Sequence, residues 1–548
     1  MGSLQWRAMA SHAGSGRNVL LITVDQWRGD CLSALGHPVV RTPNLDALAA
    51  GGVLFANHWA NAAPCGPSRA CLYTGMYMQN HRSVMNGTPL DARFTNVALE
   101  ARRAGYDPVL FGYTDTSLDP RALPEGDPRT MTYESVLPGF DAVVTDTLEQ
   151  NGGLEWGKWL AAHGVEVPSS PLDLYAPDGG YPGAGDHGST WAPTRFPAEL
   201  SETAFMTEKA LEWLRQNGDR PFFMHVSYVR PHPPRRNPVG YHDLYSAEEV
   251  GPFSGFASPD EEASFHPLNA ALIAFPHTAC PPDEGERRQL RATYYGAQTE
   301  VDDHLGRLFG FLDDEGLSGS TLVVLTSDHG DMAGDHWLLE KCGYWDESFS
   351  IPLIVRDPFQ QASGTRGLVV REPTESVDVA PTILDWLGLE RPAQFDGWPL
   401  TTFLQQGRAP EHWRKSAHWE WDMRHTQFRL AETYFGVPSE HCALAVLRDD
   451  DAKYVQFAAD PAILPPLLFD LRADPGHTRD WSSSRPAGAP GGGKAPPGGG
   501  KAPEDGRDRA LMMAQEMLRW RMSNLDRTLS NCFLAPGTGP IWGKDEWR

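Results

Sequence analysis

The sequence predicts an α/β fold: a large, mostly parallel sheet flanked by helices, followed by a small C-terminal antiparallel α+β subdomain. Three observations lead there. Short apolar runs rich in β-branched residues recur along the first part of the chain. Stretches of helical periodicity lie between them. After about residue 410 the pattern changes to closely spaced strand-like segments. Strand–helix alternation implies a doubly wound sheet with both faces covered.

The runs at 19–24, 109–111, 222–226 and 322–326 are continuously apolar, as expected of strands buried on both faces. Helices are predicted over 44–51, 69–79, 96–104, 201–216 and 288–315. Each apolar run ends in polar residues. Asp25-Gln26 follows the first, Tyr113-Thr114-Asp115 the second, Arg230-Pro231-His232 the third and Ser327-Asp328-His329 the fourth. Open α/β sheets bind ligands beyond the carboxyl ends of their strands, so the four clusters are candidates for one pocket. Residues of about 120–200 and 232–285, rich in Pro, Gly and His, read as long insertions over those strand ends. Segments near 415–424, 442–448, 452–459 and 467–471 read as the small sheet. Residues 486–503 are mostly Gly and Pro, with GGGKAP at 491–496 and again at 498–503, which is linker composition. A helix is predicted over about 505–530, where Leu511, Ala514, Leu518, Met522, Leu525 and Leu529 recur at three- and four-residue spacing. The apolar tail (Phe533, Leu534, Trp542, Trp547) needs a surface to pack on, from its own core or a neighbouring subunit. The expected division is a tail (1–17), a large α/β domain (18–410), a small sheet subdomain (411–481), a linker (482–504) and a C-terminal helix with its tail (505–548).

Composition narrows the function. Among 548 residues, 47 basic against 71 acidic side chains give a formal charge of −24. Nucleic-acid and anionic-membrane binding need basic surface, so neither is expected as a partner. A small anionic substrate stays open, because a local cluster can oppose the global sign within a Debye length of about 8–10 Å. The seven cysteines, at 31, 65, 71, 280, 342, 442 and 532, form no CxxC pair. That speaks against a disulfide scaffold or a thiolate zinc site and suits a reducing compartment. No secretory h-region and no run of 18 apolar residues is readable, so a cytoplasmic protein is expected.

The sharpest motif is Cys65-Gly66-Pro67-Ser68-Arg69. Pro67 near the start of a helical stretch places Cys65 at a helix N-terminus, where free N–H groups favour anions. Arg69 lies one turn on, with a fork suited to an oxyanion. A lone Cys in that place is more often a buried thiol. The string, however, resembles the C-x-P-S/T-R signature of the sulfatase branch of the alkaline phosphatase superfamily. The resemblance implies that Cys65 is converted to formylglycine by a formylglycine-generating enzyme.

It also implies metal-ligand roles for Asp25, Gln26, Asp328 and His329. Many arylsulfatases carry Asp-Asp and Asp-Asn there, an all-oxygen set suited to calcium. Gln26 and His329 depart from that set, and an imidazole favours a transition metal. One divalent ion is expected, manganese first, with iron, zinc or calcium as alternatives. Asp-Gln with Asp-His resembles the phosphonate monoester hydrolase and phosphodiesterase branch. By the same resemblance, Asn86 contacts nonbridging oxygens, Tyr113 lines the pocket, His232 is the general acid or a pocket histidine, and Lys341 bridges nucleophile and substrate. A neutral Thr is expected two residues after Tyr113. Asp115 stands there instead, flanked by Thr114 and Thr116.

The implied activity is hydrolysis of phosphonate monoesters and phosphodiesters, with promiscuous sulfate monoester hydrolysis, through a covalent hemiester on residue 65. A true arylsulfatase, or another sulfate ester hydrolase, is the alternative. The resemblance further implies a homodimer or homotetramer.

Overall fold

The computed structural model describes residues 16–145, 154–168, 170–424, 426, 428–481, 506–530 and 532–542. The predicted linker, the extreme N-terminus and Trp547 lie outside these residues. The first apolar run forms β1 (Asn18–Val24), buried at every position. Leu20, Ile22 and Val24 feed one core layer, while Val19 and Leu21 feed the other. A strand that buries both faces can sit only at the centre of a covered sheet.

The sheet holds eight strands: β1, β2 (Val53–Phe55), β3 (Val109–Phe111), β4 (Asp141–Val144), β5 (Phe223–Tyr228), β6 (Thr321–Thr326), β7 (Leu353–Arg356) and β8 (Leu368–Val370). Their order is β8-β2-β7-β6-β1-β5-β3-β4. Only β7 runs antiparallel to its neighbours, so the sheet is mostly parallel as expected. The register sets Thr23 of β1 beside Thr326 of β6 and Ser227 of β5. Asp25, Asp328 and the segment leading to His232 therefore leave the sheet side by side, at one edge.

Helices α1 (Pro43–Gly51), α2 (Cys65–Thr74), α3 (Val97–Arg103), α4 (Glu202–Asn217) and α5 (Glu284–Asp314) lie close to the predicted spans. Their caps explain the boundaries. The Asn96 side chain accepts from the Ala98 and Leu99 amides, Ser201 from Ala204, and Asp283 from Glu286. The stretch expected to be helical over 69–79 breaks at Gly75, which takes a left-handed φ of 62° beneath Phe395. Residues 120–200, read as loop, supply the edge strand β4. Three of its four residues are exposed, and a run that short carries no burial pattern.

The small sheet consists of β9 (Ala417–Asp422), β10 (Ala443–Arg448), β11 (Ala452–Phe457) and β12 (Leu467–Asp470), joined as an antiparallel meander. Its free edge pairs with the large domain: Glu420 and Trp421 run parallel to Ala62 and Ala63. The small sheet thus holds the two residues that lead into Pro64 and Cys65. The C-terminal helix α6 (Gly506–Ser523) is shorter than expected, ending where Asp526 turns its side chain onto the Thr528 amide and hydroxyl. It docks on β10–β12 through Met513 and Met517, while Trp520 stacks on His418 at 3.8 Å. Of the stripe singled out in the sequence, Ala514 packs on that seam and the large residues face outward instead. Leu511, Leu518, Met522, Leu525 and Leu529 are all exposed. The helix is apolar on two sides, and periodicity alone does not say which one docks.

Candidate active site

A cleft of about 1200 Å³ opens over the carboxyl ends of β1, β3 and β5. Asp25, Cys65, Asn86, Tyr113, Asp115, His232 and Lys341 line it. Arg69, Gln26, Asp328 and His329 lie directly behind that wall, all buried. The structure thus brings all eleven residues singled out in the sequence to one place.

Asp25 leaves β1 and Asp328 leaves β6, so two carboxylates meet at the base of the cleft. Asp25, Cys65, Asp328 and His329 each offer a ligand atom within 4.8 Å of the others. The His329 Nε2 atom lies 3.8 Å from Asp25 Oδ1, 3.7 Å from Asp328 Oδ2 and 3.1 Å from Cys65 Sγ. Its Nδ1 atom lies 3.0 Å from the Gly330 carbonyl, which fixes the proton there and leaves the Nε2 lone pair free. Asp25 Oδ1 is buried and has no hydrogen-bond partner. An orphaned carboxylate oxygen beside a second carboxylate and an available imidazole fits a divalent cation of borderline or first-row type.

Arg69 is fully buried and directed at the carboxylates. Its Nε donates to Asp328 Oδ2 at 2.8 Å and its Nη2 to Asp25 Oδ2 at 3.1 Å. Its Nη1 donates to the Tyr113 carbonyl and to Ser227 Oγ. The guanidinium expected to bind a substrate oxyanion spends these donors on protein. It holds the two carboxylates in register and offsets their charge. The Tyr113 hydroxyl donates to Asp25 Oδ2 as well. Burial would raise the Asp25 pKa, but His232, Arg69, His329 and Lys341 together hold it well below the usual carboxylate range.

The remaining groups face the opening. Lys341 Nζ donates to Gln26 Oε1 at 2.7 Å. Burial would lower this lysine, but the surrounding acidic groups keep its pKa above the ordinary value. Gln26 sits at a positive φ of 68°, and its Nε2 donates to Asp331 at 2.6 Å. His232 Nδ1 donates to the Pro233 carbonyl at 2.7 Å. Burial, then the Lys341 charge, lowers the His232 pKa. Asn86 Oδ1 accepts from the Gly66 amide at 2.8 Å, which anchors it at the start of α2. Burial pushes Asp115 up to about 8, with Arg69 only partly opposing, and its Oδ1 has no partner. Burial also raises the Cys65 thiol well above its ordinary value.

Sequence reasoning missed charged residues in and behind this wall, Glu340 in the lining and Asp331 with Arg235 behind it. Asp331 accepts from Gln26 and, at 2.5 Å, from Arg235, while Glu340 lies 3.3 Å from Lys341. Asp331 follows His329 by two residues and Glu340 precedes Lys341, so proximity to the motifs was the available signal. Trp421, Met423 and Phe428, which form an apolar rim, come from the C-terminal part and carried no such signal.

Comparison with known proteins matches this geometry. A family model described as Sulfatase matches residues 17–389, and one described as N-sulphoglucosamine sulphohydrolase, C-terminal, matches residues 334–484. The multifunctional alkaline phosphatase superfamily protein PehA of Trinickia caryophylli is 42% identical over 95% of this chain and 98% of its own. The phosphonate monoester hydrolase of Agrobacterium radiobacter superposes with a TM-score of 0.86 at 40% identity, covering 96% of this chain and all of that one. The phosphonate monoester hydrolase SpPMH from Silicibacter pomeroyi gives 0.86 at 36% identity, covering 96% and 99%.

Proposed function

Because the chain belongs to the sulfatase family of the alkaline phosphatase superfamily, we propose that it is a formylglycine- and metal-dependent hydrolase of phosphonate monoesters and phosphodiesters, with sulfate monoesters as secondary substrates. The observation that carries this reading is the meeting of Cys65, Asp25, Asp328 and His329 under a cleft whose wall presents Lys341, His232 and Asn86. Near-full-length similarity to proteins named phosphonate monoester hydrolase supports it.

Asp25, Asp328 and His329, with Gln26 beside them, would hold one divalent metal, manganese first, which when bound acidifies a nearby hydroxyl and offsets charge on substrate oxygens. Residue 65, once converted, supplies as its hydrate one hydroxyl for in-line attack and a second whose proton loss reopens the aldehyde and expels the acid product. The chain's own groups do the rest. Arg69 and Tyr113 orient the carboxylates from behind. Lys341 places an ammonium on the cleft wall, where it stabilises charge gathering on the equatorial oxygens. Asn86 is fixed through its oxygen, which leaves its amide N–H groups for a second equatorial oxygen. His232, with Nδ1–H held by Pro233, can pass a proton from Nε2 to the leaving oxygen when its ring is in the imidazolium form, and returns to the neutral ring on doing so. Trp421, Met423, Phe428 and Val229 give the leaving group an apolar wall.

The positive groups facing the cleft, Lys341 and a bound metal, are partly offset by Glu340, Asp25 and Asp328, which suits one net negative charge on the reacting group. Phosphodiesters, phosphonate monoesters and sulfate monoesters all meet that condition. We read the enzyme as a cytoplasmic homo-oligomer that needs a formylglycine-generating enzyme to mature. No helix among the described residues is long and apolar enough to cross a membrane. The test is kcat/KM for a phenyl phosphonate ester against an aryl sulfate. The phosphonate ester should be favoured, and a sulfate preference of two orders or more would overturn the assignment in favour of a sulfatase. Intact-mass analysis should show residue 65 lighter by about 18 Da, the exchange of a thiol for an aldehyde.

A further inference from the structure

A second cluster of metal-binding type lies outside the cleft. His336 follows His329 by seven residues and precedes Lys341 by five. Glu347 sits in the short helix Asp346–Phe349, and His477 in the loop after β12. Each offers a ligand atom within 4.8 Å of the other two. His336 is 0% exposed and His477 3%.

What these residues lack is as telling as their proximity. Among the described residues, His336 Nε2, His477 Nε2 and Glu347 Oε2 are buried atoms with no hydrogen-bond partner. Buried polar groups are ordinarily paired, and three such atoms on residues whose ligand atoms lie within 4.8 Å of one another call for an occupant. The surroundings are those of a ligand site. His336 Nδ1 donates to Glu262 Oε1 at 3.1 Å, which puts the proton on that nitrogen and turns the Nε2 lone pair inward. Glu262 is itself fixed by Asn269 Nδ2 at 2.9 Å and the Phe256 amide at 3.1 Å. On the other side, Lys453 donates to the Tyr344 carbonyl at 3.0 Å and Asp346 at 3.1 Å. Its 3.5 Å approach to His477 Nδ1 is the longest of the three. A cleft of about 560 Å³ reaches Glu347 from solvent.

We propose that His336, Glu347 and His477 form a second metal site that takes a divalent ion of zinc type. Two imidazoles and one carboxylate are a zinc donor set, completed by water in the fourth position. Zinc–nitrogen bonds of about 2.0–2.1 Å bring ligand atoms closer together than they now stand, and none of the three orphaned atoms is tied down against that movement. The ion joins the segment that carries His329 and Lys341 to the small sheet's last loop. It therefore braces the catalytic wall against the subdomain behind it.

The probe is zinc chloride. After incubation and gel filtration, the wild-type protein should hold two zinc ions per chain by mass spectrometry. Folded His477→Ala, checked by circular dichroism, should hold one, Asp328→Asn should hold one, and the double variant none. Wild-type stoichiometry in His477→Ala overturns the proposal, as does a wild-type chain whose single ion vanishes in Asp328→Asn. A measurement without variants decides the same point. Zinc-edge anomalous diffraction from wild-type crystals should show a peak between His336 and His477 as well as one at Asp25 and Asp328. A peak at Asp25 and Asp328 alone refutes the site.

Discussion

His232 and Asp115 carry the sharpest residue-level consequences. His232 passes its proton only to a leaving group that needs one, so its value depends on the ester. His232→Ala should cost about 10²–10⁴-fold in kcat/KM for an alkyl or phenyl leaving group. The same change should cost far less for a 4-nitrophenyl group, and a uniform loss across a leaving-group series would exclude the general-acid role. Asp115 is a carboxyl whose folded pKa of about 8 lies above its unfolded value. Its neutral form is the one the fold prefers. Its contribution is therefore complete below the unfolded pKa, near 4, and is lost as pH rises toward 8. The slope is at most about 1.4 kcal/mol per pH unit in that window. In EDTA-treated protein, Asp115→Asn should flatten the fall of stability between pH 5 and 8, as read from urea midpoints, and leave pH 4 nearly unchanged. The motif residues were legible in advance because each follows an apolar strand or stands inside a string with its own chemistry. The direction of Arg69 was not. A one-dimensional pattern places a guanidinium near an anion site without saying whether protein or substrate fills its fork.

At the scale of elements, the site depends on how closely loops approach one another. Gly330 follows His329, and a Cβ built there would stand 2.0 Å from the Glu347 carbonyl. That contact is backbone, so the His329 loop itself must shift. Gly330→Ala should cost about 1–3 kcal/mol in denaturant unfolding and lower metal content in parallel. Gly310, in α5, has nothing within 4 Å of its would-be Cβ. Gly310→Ala is the control, and should stabilise by about 0.5–1 kcal/mol without touching activity. A Gly330→Ala protein with wild-type stability and metal content would show that the loop has slack. Four strands of the sheet and the long helices were readable because burial on both faces leaves an unbroken apolar run and helical stretches alternate with those runs. The pairing of Ala62–Ala63 with Glu420–Trp421 was not, since it joins residues some 360 apart and two residues carry no periodicity. Yet that pairing puts Trp421 on the rim of the cleft and ties Cys65 to the small sheet.

For the whole molecule, the charge and the C-terminal helix pull in different directions. A chain at −24 repels its own copies. Residues 506–530 oppose this locally, with five arginines against three acidic side chains, a net charge of plus two. The same segment exposes Leu511, Met512, Leu518, Met522, Leu525 and Leu529, and Phe533 and Leu534 continue the patch. Soluble monomers rarely leave so many large apolar side chains contiguous and uncovered. Attraction to an acidic copy of the same chain, followed by burial of the apolar face, accounts for both features. At about 25 cal/mol per Å², covering Leu518 and Met522 on each side supplies several kcal/mol of association free energy. Leu518→Glu with Met522→Glu should therefore convert the oligomer to a monomer in light scattering. Their side chains point away from the Met513–Met517 seam, so the far-ultraviolet circular dichroism should not change. Wild-type protein that is monomeric at micromolar concentration, or a double variant with unchanged mass, would show that the exposed face is not the interface.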